Sequence, residues 1–307
     1  MDMKGRVILA GGSGFVGRNL TPALLSAGYE VTILTRSPEH AQSGVTAVAW
    51  NGKTVGDWAR SLDGAAAVVN LAGRSINCRH TPENRRAILD SRVDSVRVLG
   101  HAIEKVTTPP AVFVQASAVG IYGNTGDRWL DENAPHGSDF VAEVCQKWED
   151  AFHQVSAGAN RKVLLRLGIV LGADGGFLKI LSKLTRLFLG GQVGDGRQFI
   201  SWIHERDLAR IFLAAVAEAA MNGTYNAAAP NPVSNGHFMR ELRRTLHRPW
   251  SPPVPKFAVE LGGRLMGTEP SLAFASQRVE PKRLLEEGFR FEFPEVGPAL
   301  RDLLRSR

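Results

Sequence analysis

Gly11, Gly12, Gly14 and Gly17 fall within seven residues of this chain, directly after the apolar run Val7-Ile8-Leu9-Ala10. Glycines at this spacing permit a tight turn and let a bound group approach the backbone without meeting Cβ atoms. Where such a turn leads from a strand into a helix, unpaired N–H groups and the helix dipole favour an anion, above all the pyrophosphate of a dinucleotide. The run satisfies two registers at once, Gly12-x-Gly14-x-x-Gly17 and Gly11-x-x-Gly14-x-x-Gly17.

The end of the next apolar run decides which dinucleotide. A site for NAD places Asp or Glu there to accept the ribose hydroxyls. Here the run ends Leu34-Thr35-Arg36-Ser37, and Glu30 lies at its wrong end. A guanidinium in that place suits a 2′-phosphate, whose oxygens it can grip bidentately. NADP(H) is therefore the expected cofactor.

Other reactive side chains point less clearly. Cys78 and Cys145 are the only cysteines, which excludes a disulfide scaffold and an all-cysteine zinc site. Cys145 lies on the apolar face of a helical segment and reads as a packed thiol. Glu143 and Lys147, at helical spacing, read as an exposed ion pair. His204 precedes Asp207 at a helix start, either facing a cleft or satisfying a backbone group, and Asp207 reads as a cap or structural partner. Cys78, Arg79 and His80 fall in a loop that could border a substrate, without completing a metal-ligand cluster.

These residues need a scaffold, and the first half supplies one. Strand-like runs at 6–10, 31–35, 67–71, 111–115 and 162–167 alternate with helical patterns at 15–27, after Thr81-Pro82, and at 139–152. This is the pattern of an α/β fold, a Rossmann-type doubly wound parallel sheet. After Gly172 the pattern loosens, apart from a strong helix at 207–220. We divide the chain into a dinucleotide-binding domain at 1–172, with 201–229 returning to it, and a smaller α+β C-terminal region at 173–200 and 230–307 on the substrate side. At 307 residues and 44% apolar, the chain has material for a sizeable core. It has neither a run of roughly 20 apolar residues nor the pattern of a signal peptide. A cytoplasmic protein with no membrane partner is expected. The net charge of +7 comes from basic residues scattered along the sequence, so a small anionic ligand is expected and nucleic acid is not.

Several motifs together resemble an atypical extended short-chain dehydrogenase/reductase, in the NAD(P)-dependent epimerase-like branch with a C-terminal domain of unknown function. They are GGSGFVG at 11–17, NLAG at 70–73, DSRV at 90–93, SAVGIYG at 117–123, DFVAEVCQKWE at 139–149, LRLGIVLG at 165–172, GDGRQFISWIHERDL at 194–208 and NAAAPNPVSN at 226–235. The resemblance implies that Gly11, Gly14 and Gly17 line the pyrophosphate. It places Thr35 and Arg36 at the adenosine ribose and its phosphate, and Leu71 and Ala72 beside the adenine-side ribose and diphosphate. Val170, in the loop after the fifth strand, resembles a backbone contact to the nicotinamide half. Arg92 resembles a cofactor contact where many relatives carry asparagine; its other reading is a solvated helical arginine paired with Asp90 or Asp94.

The same resemblance exposes a departure. Short-chain reductases use a tyrosine and, four residues later, a lysine that lowers its pKa for proton transfer. Here Tyr29, Tyr122 and Tyr225 are followed at that distance by Ile33, Gly126 and Ala229. With Glu149 aligned to the family's glutamate, Val141 and Cys145 take the two places. Ser117 still matches the family's active-site serine, with one extra residue before Tyr122, and is the remaining catalytic candidate. Ile200 stands where relatives that act on nucleotide sugars carry a diphosphate-gripping arginine, with Arg197 three residues earlier. Two functions follow. One is an NADP(H)-binding oxidoreductase or epimerase-like protein acting on a small molecule. The other is an NADPH-binding sensor or regulatory protein, a class in which the resemblance includes links to cell division.

Overall fold

The computed structural model describes residues 4–40, 42–155 and 161–305. Apolar runs with both faces buried must pair in parallel and be covered by helices on each side, and the first half of the chain does so. The strands are β1 (Arg6–Ala10), β2 (Glu30–Thr35), β3 (Thr46–Ala49), β4 (Ala67–Asn70) and β5 (Val112–Ala118). Beyond β6 (Trp129–Leu130) comes β7 (Arg161–Leu167). Three short strands follow, β8 (Ile169–Leu171), β9 (Phe199–Ile200) and β10 (Trp202–His204), and then β11 (Gly223–Ala227). Seven of these form one parallel sheet in the order β11-β7-β5-β4-β1-β2-β3.

The strand order reverses between β1 and β4. A crevice opens beyond the carboxyl ends of such neighbours. Register fixes what meets there, because Ala10 stands opposite Leu34 on one side and Asn70 on the other. The glycine turn after β1 is thus set between Thr35-Arg36 and Leu71-Ala72.

One face of the sheet carries α1 (Phe15–Ser26), and the other carries α2 (Pro82–Ile103) packed against α3 (Phe140–Gln154). Thr81 caps α2 by accepting from Asn84 N–H, and Asp139 caps α3 by accepting from Ala142 N–H. Pro22 lies inside α1 and has no N–H for the carbonyl of Arg18. Gln42 Nε2 donates to that oxygen instead, at 3.2 Å. After α4 (Gly176–Arg186), α5 (Glu205–Ala217) returns to pack beside α1.

Two features differ from the sequence expectation. The edge strand β3 was not foreseen, because its Thr-Ala-Val-Ala carries too little apolar pattern to stand out. β5 runs on to Ala118, three residues beyond the expected end, because its partner β7 continues pairing to Leu167.

The remaining elements are β12 (Val233–Ser234), α6 (Asn235–Thr245), α7 (Lys256–Met266), β13 (Arg278–Val279), α8 (Lys282–Glu286) and α9 (Val296–Arg305). Phe238 and Leu242 of α6 bury against Leu300 and Leu303 of α9, in a second core with Leu178 and Trp202. Among the described residues, no helix is long and apolar enough to cross a membrane.

His204 and Asp207 tie this region to α5. The two oxygens of Asp207, wholly buried, accept from Glu292 N–H and Phe293 N–H, each at 2.8 Å. His204 Nδ1 accepts from Arg206 N–H at 3.0 Å, its Nε2 lies 3.2 Å from Asp302, and its ring stacks 3.9 Å from Phe293. It therefore satisfies a backbone group. Burial pushes its pKa down to about 4 against Asp302, which favours the cation. An unfolded histidine takes up its proton near 6.5, so this site stabilises the fold above that pH and loses its contribution as pH falls toward 4. Urea midpoints should fall across this window, and more steeply for the native chain than for His204→Asn, which keeps a capping oxygen. Equal slopes would show that the imidazole titrates freely.

Candidate dinucleotide site

Two of the three fingerprint glycines, Gly11 and Gly17, stand where a side chain would collide. Gly11 adopts φ +75°, and a Cβ there would lie 2.9 Å from the backbone of Ala72. A Cβ on Gly17 would lie 2.2 Å from the carbonyl oxygen of Gly12, so the helix start is pressed directly onto the turn. Gly14 is the N-cap of α1, has no side chain to cap it, and leads a first turn without an acidic residue. The N–H donors at that end are left for an anion. Leu71 N–H donates to Ala10 O at 2.8 Å, and Ala72 N–H donates to Asn70 Oδ1 at 3.1 Å, which hold the opposite wall in place.

At the β2 end, Thr35 is buried and its hydroxyl lies 3.0 Å from Ser13 Oγ, while accepting from Ser37 N–H. Thr35 thus braces the turn against β2. Arg36 is exposed and makes no bond to any other described residue. A second cation, missed in the sequence, lies close by: Arg18 Nη1 donates to Ser13 O at 3.1 Å. Its only sequence signal is its place immediately after the last glycine.

Arg92 approaches from the other side. Its Nη1 donates to Arg74 O and Ile88 O, each at 2.9 Å, and its guanidinium lies 5.0 Å over the Trp148 ring. It pairs with neither Asp90 nor Asp94, and burial holds its pKa below the ordinary arginine value. A Cβ on Gly73 would lie 3.3 Å from its Cζ, which places the guanidinium against the NLAG turn. Val170 lies within β8, opposite Ile203 of β10, rather than in a free loop. Phe15, at the start of α1, packs on Gly172, Gly175 and Gly176 just beyond it.

Ser117 stands elsewhere. Because β5 extends past it and pairs it with Arg166, its side chain is buried inside the fold. Its hydroxyl donates to Glu149 Oε1 at 2.6 Å, and Glu149 in turn is bound by Arg166 Nη2 at 2.8 Å. The serine expected to face a substrate is here a hydrogen-bond partner of a buried ion pair. Tyr122 belongs to the same network: its hydroxyl donates to Asn226 Oδ1 at 2.7 Å and accepts from Arg166 Nη1 at 3.0 Å. Burial pushes its pKa up, so it is a poor proton donor. Ser117→Ala removes one hydrogen bond to a charged group, about 1.5–3 kcal/mol of stability. Denaturation should show that loss, while NADPH affinity stays within about twofold because the site's polar groups are untouched. A large fall in affinity without lost stability would return Ser117 to the site.

The wall where the tyrosine and lysine would stand is apolar. A Cβ on Gly120 would lie 2.7 Å from Val141 Cγ1 and 4.0 Å from Cys145 Sγ. Burial pushes the Cys145 thiol up to about 12, which makes it unreactive. Glu143 and Lys147 are exposed, and no ion pair joins them. The loop of Cys78, Arg79 and His80 meets the C-terminal region, with Arg79 Nη2 donating to Arg264 O and His80 N–H donating to Glu269. Among the described residues no His, Cys, Asp and Glu group could hold a metal ion. Ile200 is buried and Arg197, on the surface, lies 3.8 Å from Asp195.

Comparison with known proteins identifies the family and the fold. The NAD dependent epimerase/dehydratase family matches residues 7–228, and a domain of unknown function, DUF1731, matches 254–303. The chain is 36% identical over 307 residues to the epimerase family protein SDR39U1 homolog, chloroplastic, of Arabidopsis thaliana, covering 97% of this chain and 86% of that protein. It is 34% identical to the epimerase family protein YfhF of Bacillus subtilis, with 98% of each covered. The crystal structure of human epimerase family protein SDR39U1 (isoform 2) with NADPH superimposes with a TM-score of 0.88 at 32% identity, covering 98% of this chain and all of that one.

Proposed function

Because this chain belongs to the NAD dependent epimerase/dehydratase family, we propose that it is an NADP(H)-binding oxidoreductase acting on a small molecule. The observation that carries the cofactor choice is Arg36, exposed and unbonded among the described residues at the carboxyl end of β2, where no carboxylate stands. The uncapped start of α1 suits the pyrophosphate, and Arg18 and Arg36 suit a phosphate on the ribose. The NADPH bound to the human relative supports this assignment. When bound, the cofactor supplies a hydride.

The chain's own residues set limits on the rest of the reaction. Gly11, Gly14 and Gly17 would let the turn hold a diphosphate closely, and Arg92, beside Gly73, would be a further cofactor contact. Val141 and Cys145 exclude water from the wall without offering a proton. Tyr122 and Ser117 are committed to the Glu149–Arg166 pair. A carbonyl reduced here takes its proton from solvent or from the substrate itself, so turnover is slow beside that of a reductase with a tyrosine acid.

The same committed network favours a second reading, an NADPH sensor that keeps the cofactor site without the chemistry. NADPH deuterated at the transferred position, incubated with a panel of aldehydes and ketones, separates the two. Deuterium in an alcohol product, with release of NADP, is expected for the oxidoreductase. Tight NADPH binding without transfer to any compound in the panel would favour the sensor.

A further inference from the structure

The excess of positive charge in this protein falls in two stretches of sequence that meet in the fold. Residues 179–191 and 240–257 together hold eight Lys or Arg and a single Glu, leaving twenty-nine charges of each sign in the rest of the chain. In the sequence these cations lie in two stretches some fifty residues apart, and the fold brings the stretches together. Arg243 Nη1 donates to Gly190 O at 2.6 Å, the Arg248 guanidinium lies 5.2 Å over the Phe188 ring, and Ser251 Oγ donates to Phe188 O at 3.4 Å. Val193 also pairs with Val254 just beyond.

Exposed apolar side chains collect in the same place. Among the described residues, every large apolar side chain more than 55% exposed lies in these stretches or on the α7 helix that follows them. Leu187, Phe188 and Leu189 form a tip after α4, beside Trp250, which is 74% exposed. Phe257, Leu261 and Leu265, four residues apart, make an exposed stripe along α7. The two non-glycine residues with positive φ among those described are also here, Phe188 at 62° and His247 at 53°. Each closes a helix, with Leu189 N–H donating to Leu184 O and Arg248 N–H to Arg243 O, at a position where glycine is usual and where Phe188 instead presents an aromatic ring to water.

Exposed Trp, Phe and Leu interspersed with Lys and Arg match the chemistry of a membrane interface, where aromatic and apolar tips enter the headgroup layer and cations meet lipid phosphates. We propose that this face docks the protein peripherally onto an anionic phospholipid membrane. The sequence expectation of no membrane partner rested on the lack of a spanning segment, which a peripheral contact does not need. A second copy of the chain fits less well, since a two-fold contact would set the same positive surface against itself. Duplex nucleic acid would meet the charge, but its bases are stacked on one another and give the Leu187–Leu189 tip nothing apolar to enter. The proposal does not depend on the cofactor reading, and NADPH affinity serves as an independent check on the fold of each variant.

The test is co-sedimentation of the full chain with vesicles of phosphatidylglycerol and phosphatidylcholine, compared with phosphatidylcholine alone. Binding should be at least about tenfold weaker to the neutral vesicles, and salt should weaken binding to the anionic ones. Phe188→Asn, which tolerates the left-handed backbone, combined with Trp250→Ser should reduce anionic-vesicle binding about tenfold or more with NADPH affinity unchanged. Brominated acyl chains should quench the native chain more than Trp250→Phe. Absence of binding to anionic vesicles would overturn the proposal. So would binding indifferent to the double substitution, since charge alone would then explain it. Duplex DNA binding that is lost with the double substitution would reassign the face to nucleic acid, and a native dimer abolished by it would reassign the face to self-association.

Discussion

Replacing Arg166 with methionine should cost the fold about 3–5 kcal/mol, the range found when one partner of a buried ion pair is removed. Arg166 and Glu149 are both buried, and the guanidinium donates to Glu149 through Nε and Nη2. Its Nη1 reaches Tyr122 and the carbonyl of Glu132. Burial opposes its charge, and the bonds to Glu149 more than offset that, so the guanidinium is held protonated. The substitution would leave a carboxylate in the interior with Ser117 as its remaining side-chain donor. Adding Glu149→Gln to Arg166→Met removes the stranded charge and should recover part of the loss, a non-additivity that identifies coupled partners. Denaturation followed by tryptophan fluorescence reads both variants. A single-variant cost below about 1 kcal/mol, typical of a solvated pair, would contradict the burial of this network.

Arg36→Ala should weaken NADPH binding by about ten- to a hundredfold, the equivalent of the roughly 1.5–3 kcal/mol carried by a hydrogen bond to a charged group. NADH affinity should change by less than about twofold, because NADH carries no phosphate at that position. Arg36 has no partner among the described residues, so its loss leaves no buried group stranded and the fold keeps its stability. Arg18→Met should act in the same direction by a smaller factor, since Ser13 O already holds one of its donors. Titration of each variant with both cofactors checks this, and a parallel fall in NADH affinity would show that Arg36 shapes the turn instead of meeting the phosphate.

What was legible in the sequence was local. β1, the turn, α1 and β2 could be read because a short apolar run, a glycine series, a helical pattern and a second run follow each other directly. The Rossmann-type sheet followed from their repetition. Arg36 was legible because its position depends only on where β2 ends. Ser117 was not, because its surroundings are set by β7, some fifty residues away, which extends β5 and turns the serine into the Glu149–Arg166 network. Arg18 was hidden for a related reason: its guanidinium folds back onto the turn it follows, and no spacing rule announces that. The loss of the tyrosine–lysine pair could be read by inspection, but the consequence for Tyr122 needed its buried partners Asn226 and Arg166. The gathered positive face was invisible for the same reason as Ser117, since residues 179–191 and 240–257 meet only in three dimensions.

Calorimetric titration of the native chain with NADPH and with NADH tests the central claim most directly. The glycine turn serves both cofactors alike, whereas Arg36 and Arg18 can distinguish only the one that carries a 2′-phosphate. The account predicts that NADPH binds at least about tenfold more tightly, with the difference shrinking as salt is raised. Equal affinities, or tighter binding of NADH, would contradict it.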